Sequence, residues 1–230
     1  MLTQETPPGV RSSTGRVLAS PAGIAMEILL LVAISTLRFF SATIPIVLLG
    51  CLSLWLRRRR WSEIGLARPR VWWRTVLAGL SIALVMTALN AYIVTPWIVR
   101  LSGGAVDYSS FRVVQGDLGA LIVAVVVSLV YAGLLEEMAF RGHFMDRVSA
   151  LFRLSPVGWA VAILVSSVCF GLQHVYQGTS GVLSTSLTGA MFAAFYLLAR
   201  RNLWLPIIVH AAGDVIGVVA VFFGVFPMPL

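Results

Sequence analysis

The chain has 230 residues, of which 59% are hydrophobic and only 11% are charged, and its mean hydropathy is +0.93. A soluble domain carries about 25% charged residues, so this composition excludes a soluble enzyme, a nucleic-acid-binding domain and a disordered chain. It predicts an integral membrane protein.

The basic residues are distributed unevenly along the chain. All 17 are arginines, against 9 acidic residues, and the formal net charge is +8. The arginines cluster at the ends of apolar segments, which indicates anchoring to lipid headgroups and no nucleic-acid partner. Cys51 and Cys169 lie within apolar runs and are predicted to be buried small side chains without a disulfide.

The apolar segments predict an all-α, polytopic transmembrane helix bundle of about seven spans. Residues 1–20 are predicted to form a polar N-terminal tail, and residues 21–230 a single transmembrane domain. The first two spans are short for the roughly 20 residues that a bilayer crossing needs, and the fourth is long enough to bend. The predicted spans are residues 22–37, 41–56, 72–98, 118–145, 157–174, 181–199 and 203–223.

Arginine positions predict the orientation, because basic residues are retained in the cytoplasm. With a cytoplasmic N-terminus, 14 arginines fall in cytoplasmic segments and 3, namely Arg38, Arg100 and Arg112, in external ones. The predicted external loop is residues 101–117, and the predicted basic cytoplasmic loop is residues 57–71.

Three spans carry polar groups whose burial in a membrane is costly, which makes them candidates for function. The three motifs are Glu136-Glu137-Met-Ala-Phe-Arg141, Phe170-Gly-Leu-Gln-His174 and His210-Ala-Ala-Gly-Asp214. By contrast, Glu27, His143 and Asp146 are interpreted as structural: Glu27 snorkelling or paired with an inner arginine, His143 packed in the protein, and Asp146 solvated at the interface.

Helical spacing relates these groups to each other. Glu137 and Arg141 are four residues apart and can form an ion pair, whereas Glu136, about 100° further round the helix, can face a different neighbour. His210 and Asp214 share one face. At about 1.5 Å per residue, the depths of Glu136 and His210 agree, and that of His174 agrees only if its helix is tilted or starts deeper. We therefore predict one polar cavity, open to the cytoplasm.

The residue types in this cavity favour hydrolysis with water as the nucleophile. A carboxylate and an imidazole can deprotonate water, and a second histidine with an acid one turn away can stabilise an oxyanion. The sequence has neither a His-Glu-x-x-His zinc motif nor a Gly-x-Ser-x-Gly nucleophile elbow.

With these motifs the sequence resembles the CPBP intramembrane proteases, which include the type II CAAX-prenyl endopeptidases and bacterial bacteriocin-processing, Abi-type proteins. The family pattern is Glu-Glu-x-x-x-Arg, Phe-x-x-x-His and His-x-x-x-Asn or Asp, in that order. Here the three motifs cover about residues 117–223, and Asp214 stands where eukaryotic CAAX enzymes usually carry Asn.

The resemblance implies an intramembrane endopeptidase of the glutamate type acting on membrane-associated or lipidated proteins. Glu136 and His174 would activate the water, His210 and Asp214 would form the oxyanion site, and Glu137 and Arg141 would support them. No cofactor is expected; the alternative is a zinc enzyme with Glu136, His174 and His210 as metal ligands.

Two other functions stay open: a proton- or ion-coupled transporter that uses the buried charges as a relay, and a non-catalytic membrane scaffold of the same family. The expected partners are membrane lipids and a protein or peptide substrate. The all-arginine composition is typical of a GC-rich bacterium, so the expected location is a bacterial inner membrane. The sequence identifies neither the substrate-binding residues nor the oligomeric state.

Overall fold

The computed structural model describes residues 13–36 and 41–225, and every regular element in these two ranges is helical. Short 3₁₀ turns at Trp61–Ile64, Ser109–Val114 and Val175–Gln177 connect the main helices. We number the helices α1 Ser13–Ala19, α2 Pro21–Thr36, α3 Thr43–Leu56, α4 Trp72–Ser102, α5 Leu118–Leu151, α6 Pro156–Leu172, α7 Gly178–Leu198 and α8 Trp204–Phe222.

Each predicted span overlaps one of the helices α2 to α8, which confirms the all-helical fold. Four helices are long and apolar enough to cross a membrane: α4, α5, α8, and α7 together with the turn before it. The other three are shorter, with 16, 14 and 17 residues in α2, α3 and α6. The protein therefore has the fold of a helical membrane protein, while the count of seven spans stays a prediction.

The predicted N-terminal tail lies partly outside the described residues, which begin at residue 13. Ser13–Ala19 forms α1, a short helix whose Leu18 carbonyl oxygen accepts a hydrogen bond from Arg147 Nη2 at 2.7 Å. Both cysteines are free; Cys169 is buried as predicted, whereas Cys51 is exposed. Cys51 lies on an outer face of α3, among exposed apolar side chains such as Leu48 and Leu52.

Helix α8 lies at the centre of the bundle and packs against both α4 and α5. A glycine permits the contact with α5, since a Cβ atom on Gly133 would lie only 2.6 Å from the Cβ atom of Ala211. This close approach brings the Glu136-Glu137 pair of α5 beside His210 of α8.

The two ends of the bundle differ in charge. At the arginine-rich end, residues 57–74, 146–155 and 196–204 come together: Leu203 N donates to Gly65 O at 2.9 Å, and Asn202 Nδ2 donates to Ala67 O at 2.9 Å. At the opposite end, Asp107 N donates to Gln177 O at 3.0 Å, and Gly116 N donates to Phe222 O at 3.2 Å. The loop of residues 101–117 therefore lies at the opposite end.

Buried ion pairs join α2, α3 and α5 near the arginine-rich end. Glu27 lies 3.0 Å from His143 Nε2 and 2.8 Å from Arg147 Nε, which confirms the packed histidine and the pairing of Glu27 with an arginine. Asp146 lies 3.7 Å from Arg57 and 3.2 Å from Arg59 and is buried. Its interpretation as a solvated residue is wrong, because α3 and the arginines that follow it cover this side chain.

Candidate active site

The first motif lies in a part of α5 with π-helical hydrogen bonding, Val127–Phe144. A π-helix bonds each residue to the fifth along rather than the fourth, and such segments occur frequently at functional sites. The altered winding changes which side chains share a face. Glu136 was expected to face a different neighbour from Glu137; in the structure both carboxylates approach the same imidazole, that of His210.

Glu137 connects two of the motifs and is fully buried, at 0% exposure. Its Oε1 accepts hydrogen bonds from Arg141 Nη1 at 3.0 Å and from His210 Nδ1 at 2.8 Å. The predicted ion pair with Arg141 is confirmed. Because Glu137 takes up Nδ1 of His210, the ring is held in one orientation, and its Nε2 is left facing Glu136 and Asp214.

Arg141 is buried at 1% exposure and is held on more than one side. Its Nη2 donates to Gly189 O at 3.1 Å, and its guanidinium lies 4.3 Å from the ring centre of Phe170 and 5.3 Å from that of Phe192. Cation–π contacts of this kind are stronger when they are shielded from water. Arg141 therefore holds the carboxylate of Glu137 in place and links α5 to α6 and α7.

Gly189 and Phe192, both on α7, also belong to the site and were not predicted from the sequence. The Phe192 ring stacks on His210 with 4.6 Å between ring centres, and a Cβ atom on Gly189 would lie 3.2 Å from Arg141 Nη2. Their three-residue spacing places them on one helix face. That spacing is the only signal in the sequence, and it is too common to indicate a site.

His174 was predicted to lie within the span of residues 157–174. In the structure α6 ends at Leu172, and His174 lies in the turn that follows. Its Nδ1 lies 3.1 Å from Phe170 O. A carbonyl oxygen only accepts, so Nδ1 carries the proton, and Nε2 of the neutral ring is free to accept one. Gln173 anchors the turn: its Oε1 accepts from Ala42 N at 2.8 Å, and its Nε2 donates to Ser35 O.

Two carboxylates lie near Nε2 of His210. Glu136 Oε2 is 3.9 Å away and Asp214 Oδ2 is 3.6 Å away. The side chain of Glu136 is 12% exposed, while that of Asp214 is 43% exposed. Asp214 is therefore the more accessible of the two, and the predicted sharing of a helix face by His210 and Asp214 is confirmed.

A cavity of about 470 Å³ joins the three motifs, and Glu136, His174, His210 and Asp214 all line it. Neither Glu137 nor Arg141 lines the cavity. The structure thus separates the residues expected to meet a substrate from the two expected to support them.

The cavity extends away from the arginine-rich end. Val106, Tyr108 and Phe111, all in the loop of residues 101–117, line its far part. In the other direction, buried side chains fill the bundle, among them Phe140, Phe144 and Leu203. The cavity and the arginine-rich end, both predicted to face the cytoplasm, therefore lie toward opposite ends of the bundle. Both orientations stay predictions.

A metal centre finds no geometric support in the described part of the chain, where no group of three or more His, Cys, Asp or Glu side chains is arranged to hold a metal ion.

The fold and the site together define a class of protein: a helical membrane protein with glutamate and histidine side chains around an internal cavity. Residues 118–216 match the family model described as Rce1-like, type II CAAX prenyl endopeptidase. This match is consistent with a CPBP/CAAX protease family, and the matched segment carries the three motifs. Comparison with curated proteins and with solved structures finds no match.

Proposed function

We propose that this protein is a glutamate-type intramembrane endopeptidase, which hydrolyses peptide bonds of membrane-associated or lipidated proteins. The observation that supports the proposal best is that Glu136, His174, His210 and Asp214 line one cavity within the segment that matches a protease family. We also propose that the enzyme acts in a bacterial inner membrane.

The proposed reaction begins with water held between Glu136 and His174. The water oxygen attacks the carbonyl carbon of the substrate while its proton passes to Glu136 or to Nε2 of His174. When the tetrahedral intermediate collapses, the carbon–nitrogen bond breaks and the same proton passes to the leaving amine. General acid–base catalysis by a positioned group contributes about 10²–10⁴-fold to such a reaction.

His210 has a different proposed role, which follows from its contact with Glu137. Since Nδ1 donates to Glu137, Nε2 can donate to a developing oxyanion only when the ring carries two protons. The nearby carboxylates of Glu137 and Asp214 would balance that positive charge. Removing one oxyanion donor from a hydrolase costs about 10²–10³-fold in rate, so His210→Ala is expected to be nearly inactive.

A panel of quenched peptides tests the proposed activity with the purified protein in detergent. Wild type is expected to cleave members of the panel and Glu136→Gln to cleave none. A chelator is expected to leave wild-type cleavage unchanged, whereas loss of cleavage that zinc restores would support the metal-dependent alternative. Comparative membrane proteomics of cells with wild type or Glu136→Gln would then identify natural substrates, which accumulate uncut in the variant.

A further inference from the structure

The lining of the cavity shows toward which end of the bundle the cavity extends. From Glu136 the lining continues along α5 to Ser128 and Ala124, and from His210 it continues along α8 to Gly217 and Val221. Both runs lead toward the end of the bundle where Gly116 bonds to Phe222. Beyond the catalytic groups the cavity therefore extends toward the end opposite to the arginine-rich one.

The charges of the two ends identify the side of the membrane. Arg141 is buried inside the bundle and is left out of this comparison. Of the other arginines in residues 13–36 and 41–225, only Arg100 and Arg112 lie toward the end to which the cavity extends. Arg57 to Arg60, Arg153, Arg200 and Arg201 all lie at the other end. Because loops rich in arginine stay in the cytoplasm, the charge distribution orients the cavity mouth to the outside.

The chemistry of the lining indicates what the cavity accepts. Apart from the four motif residues Glu136, His174, His210 and Asp214, every lining side chain is uncharged. Toward the loop of residues 101–117 the walls carry hydroxyl and amide groups, such as Asn90, Thr95 and Ser128. These groups can bond to a peptide backbone, whereas the two carboxylates would repel an acidic side chain.

From these observations we propose that the substrate is a peptide segment without acidic side chains on the external side of a membrane-anchored protein. This inference rests on the proposed endopeptidase function and adds the side of entry and the chemical class of the cleaved segment. It replaces the predicted cytoplasmic opening, since that opening would require the arginine-rich end to lie outside.

Cysteine labelling tests the side of entry without relying on catalysis. In a variant without Cys51 and Cys169, Gly217→Cys places a thiol in the cavity wall, where an added Cβ atom has no neighbour within 4 Å. A membrane-impermeant maleimide is expected to label it in intact cells. The matched control is Ser62→Cys, which lies exposed at the arginine-rich end and should react only after permeabilisation. Labelling of Gly217→Cys only after permeabilisation would overturn the proposal.

Sealed membrane vesicles of both orientations test the substrate class. The probe is a quenched peptide with an uncharged centre and charged ends, which keep it from crossing the bilayer. Right-side-out vesicles are expected to cleave it at least tenfold faster than inside-out vesicles, and detergent should equalise the two rates. A matched peptide with two aspartates beside the scissile bond is expected to be cleaved at least tenfold more slowly than the uncharged one.

The outcomes separate this inference from the proposed function. Faster cleavage by inside-out vesicles, or equal cleavage of the aspartate peptide, would overturn the inference and leave the endopeptidase intact. If detergent-solubilised wild type and Glu136→Gln were both inactive toward the whole panel, the endopeptidase and the substrate class would both fall. Labelling of Gly217→Cys would still decide the side on which the cavity opens.

Discussion

At the scale of single residues, the site divides its two adjacent glutamates between different tasks. Glu137 is fully buried and bonds to both Arg141 and His210, so its charge is already engaged. Glu136 lines the cavity, and its Oε2 lies 3.9 Å from His210 Nε2. Its carboxylate is therefore available to a water molecule.

Replacing Glu136 by Gln is expected to reduce peptide cleavage by about 10²–10⁴-fold, the contribution of a general base, without altering the fold. Gln has nearly the same size but cannot accept the proton. Cleavage rates and the thermal midpoint of the purified variant measure the two effects. Near-wild-type turnover would show that another group activates the water.

Replacing Glu137 by Gln is expected to damage the fold as well as the activity. It would leave the guanidinium of Arg141 without its carboxylate in a fully buried setting, and breaking a buried pair from one side costs about 3–5 kcal/mol. Thermal unfolding in detergent, followed by circular dichroism, measures this loss, with Glu136→Gln as the matched control. A stable Glu137→Gln variant would mean that Arg141 is held mainly by Gly189 and the two phenylalanine rings.

Asp214 is expected to tolerate an amide. In the proposed mechanism it orients His210 across 3.6 Å, and Asn can bond to the ring from the same position. The carboxylate of Glu137 would still balance the charge of the ring. Asp214→Asn should keep most of the activity, whereas Asp214→Ala should lose roughly 10²–10³-fold, as for one oxyanion-hole donor.

Cleavage by both Asp214 variants, with and without a chelator, checks this prediction. If Asp214→Asn were inactive and zinc restored it, Asp214 would act on a metal-ligating histidine, and the metal-free mechanism would be wrong.

At the scale of helices, the contact between α5 and α8 decides whether the motifs meet. The glutamates and His210 are on different helices, and Gly133 lets these helices approach closely beside the site. Any larger side chain at this position must move one helix relative to the other.

Gly133→Leu is therefore expected to separate α5 from α8. Overpacking of this kind costs about 1–3 kcal/mol, and a displacement of 1 Å at a catalytic site can cost about 10²-fold in rate. We expect a lower thermal midpoint and at least a tenfold loss of cleavage. The control is Gly104→Ala, outside the cavity lining, whose added Cβ atom meets nothing within 4 Å and which should behave as wild type. Equal behaviour of the two variants would argue against a tight contact.

At the scale of the whole molecule, the predicted orientation follows from the difference in charge between the ends. Labelling of Ser62→Cys and Ser109→Cys, each in a variant without Cys51 and Cys169, should show opposite sides of the membrane. Ser62 lies in the basic loop of residues 57–71 and should be cytoplasmic, whereas Ser109 lies in the loop of residues 101–117 and should be external. Labelling of both from the same side would contradict the predicted topology.

The membrane class, the helices and the candidate residues could all be predicted from the sequence, because each depends on local properties. Apolar composition and segment length define a membrane helix wherever it lies in the bundle. The cost of burying Glu137, Arg141 or His210 is likewise a property of the residue, so such groups attract attention without a structure. The family resemblance rests on the same three motifs.

Only the tertiary structure decided how the helices are rotated and placed against each other. Helical periodicity assigns a residue to a face of its own helix but does not say what that face meets. The sequence therefore could not show that Glu136 and Glu137 share His210, or that Phe192 of α7 stacks on it. The direction in which the cavity extends could not be predicted either, because it depends on where the packed helices leave space, and no single segment encodes that space.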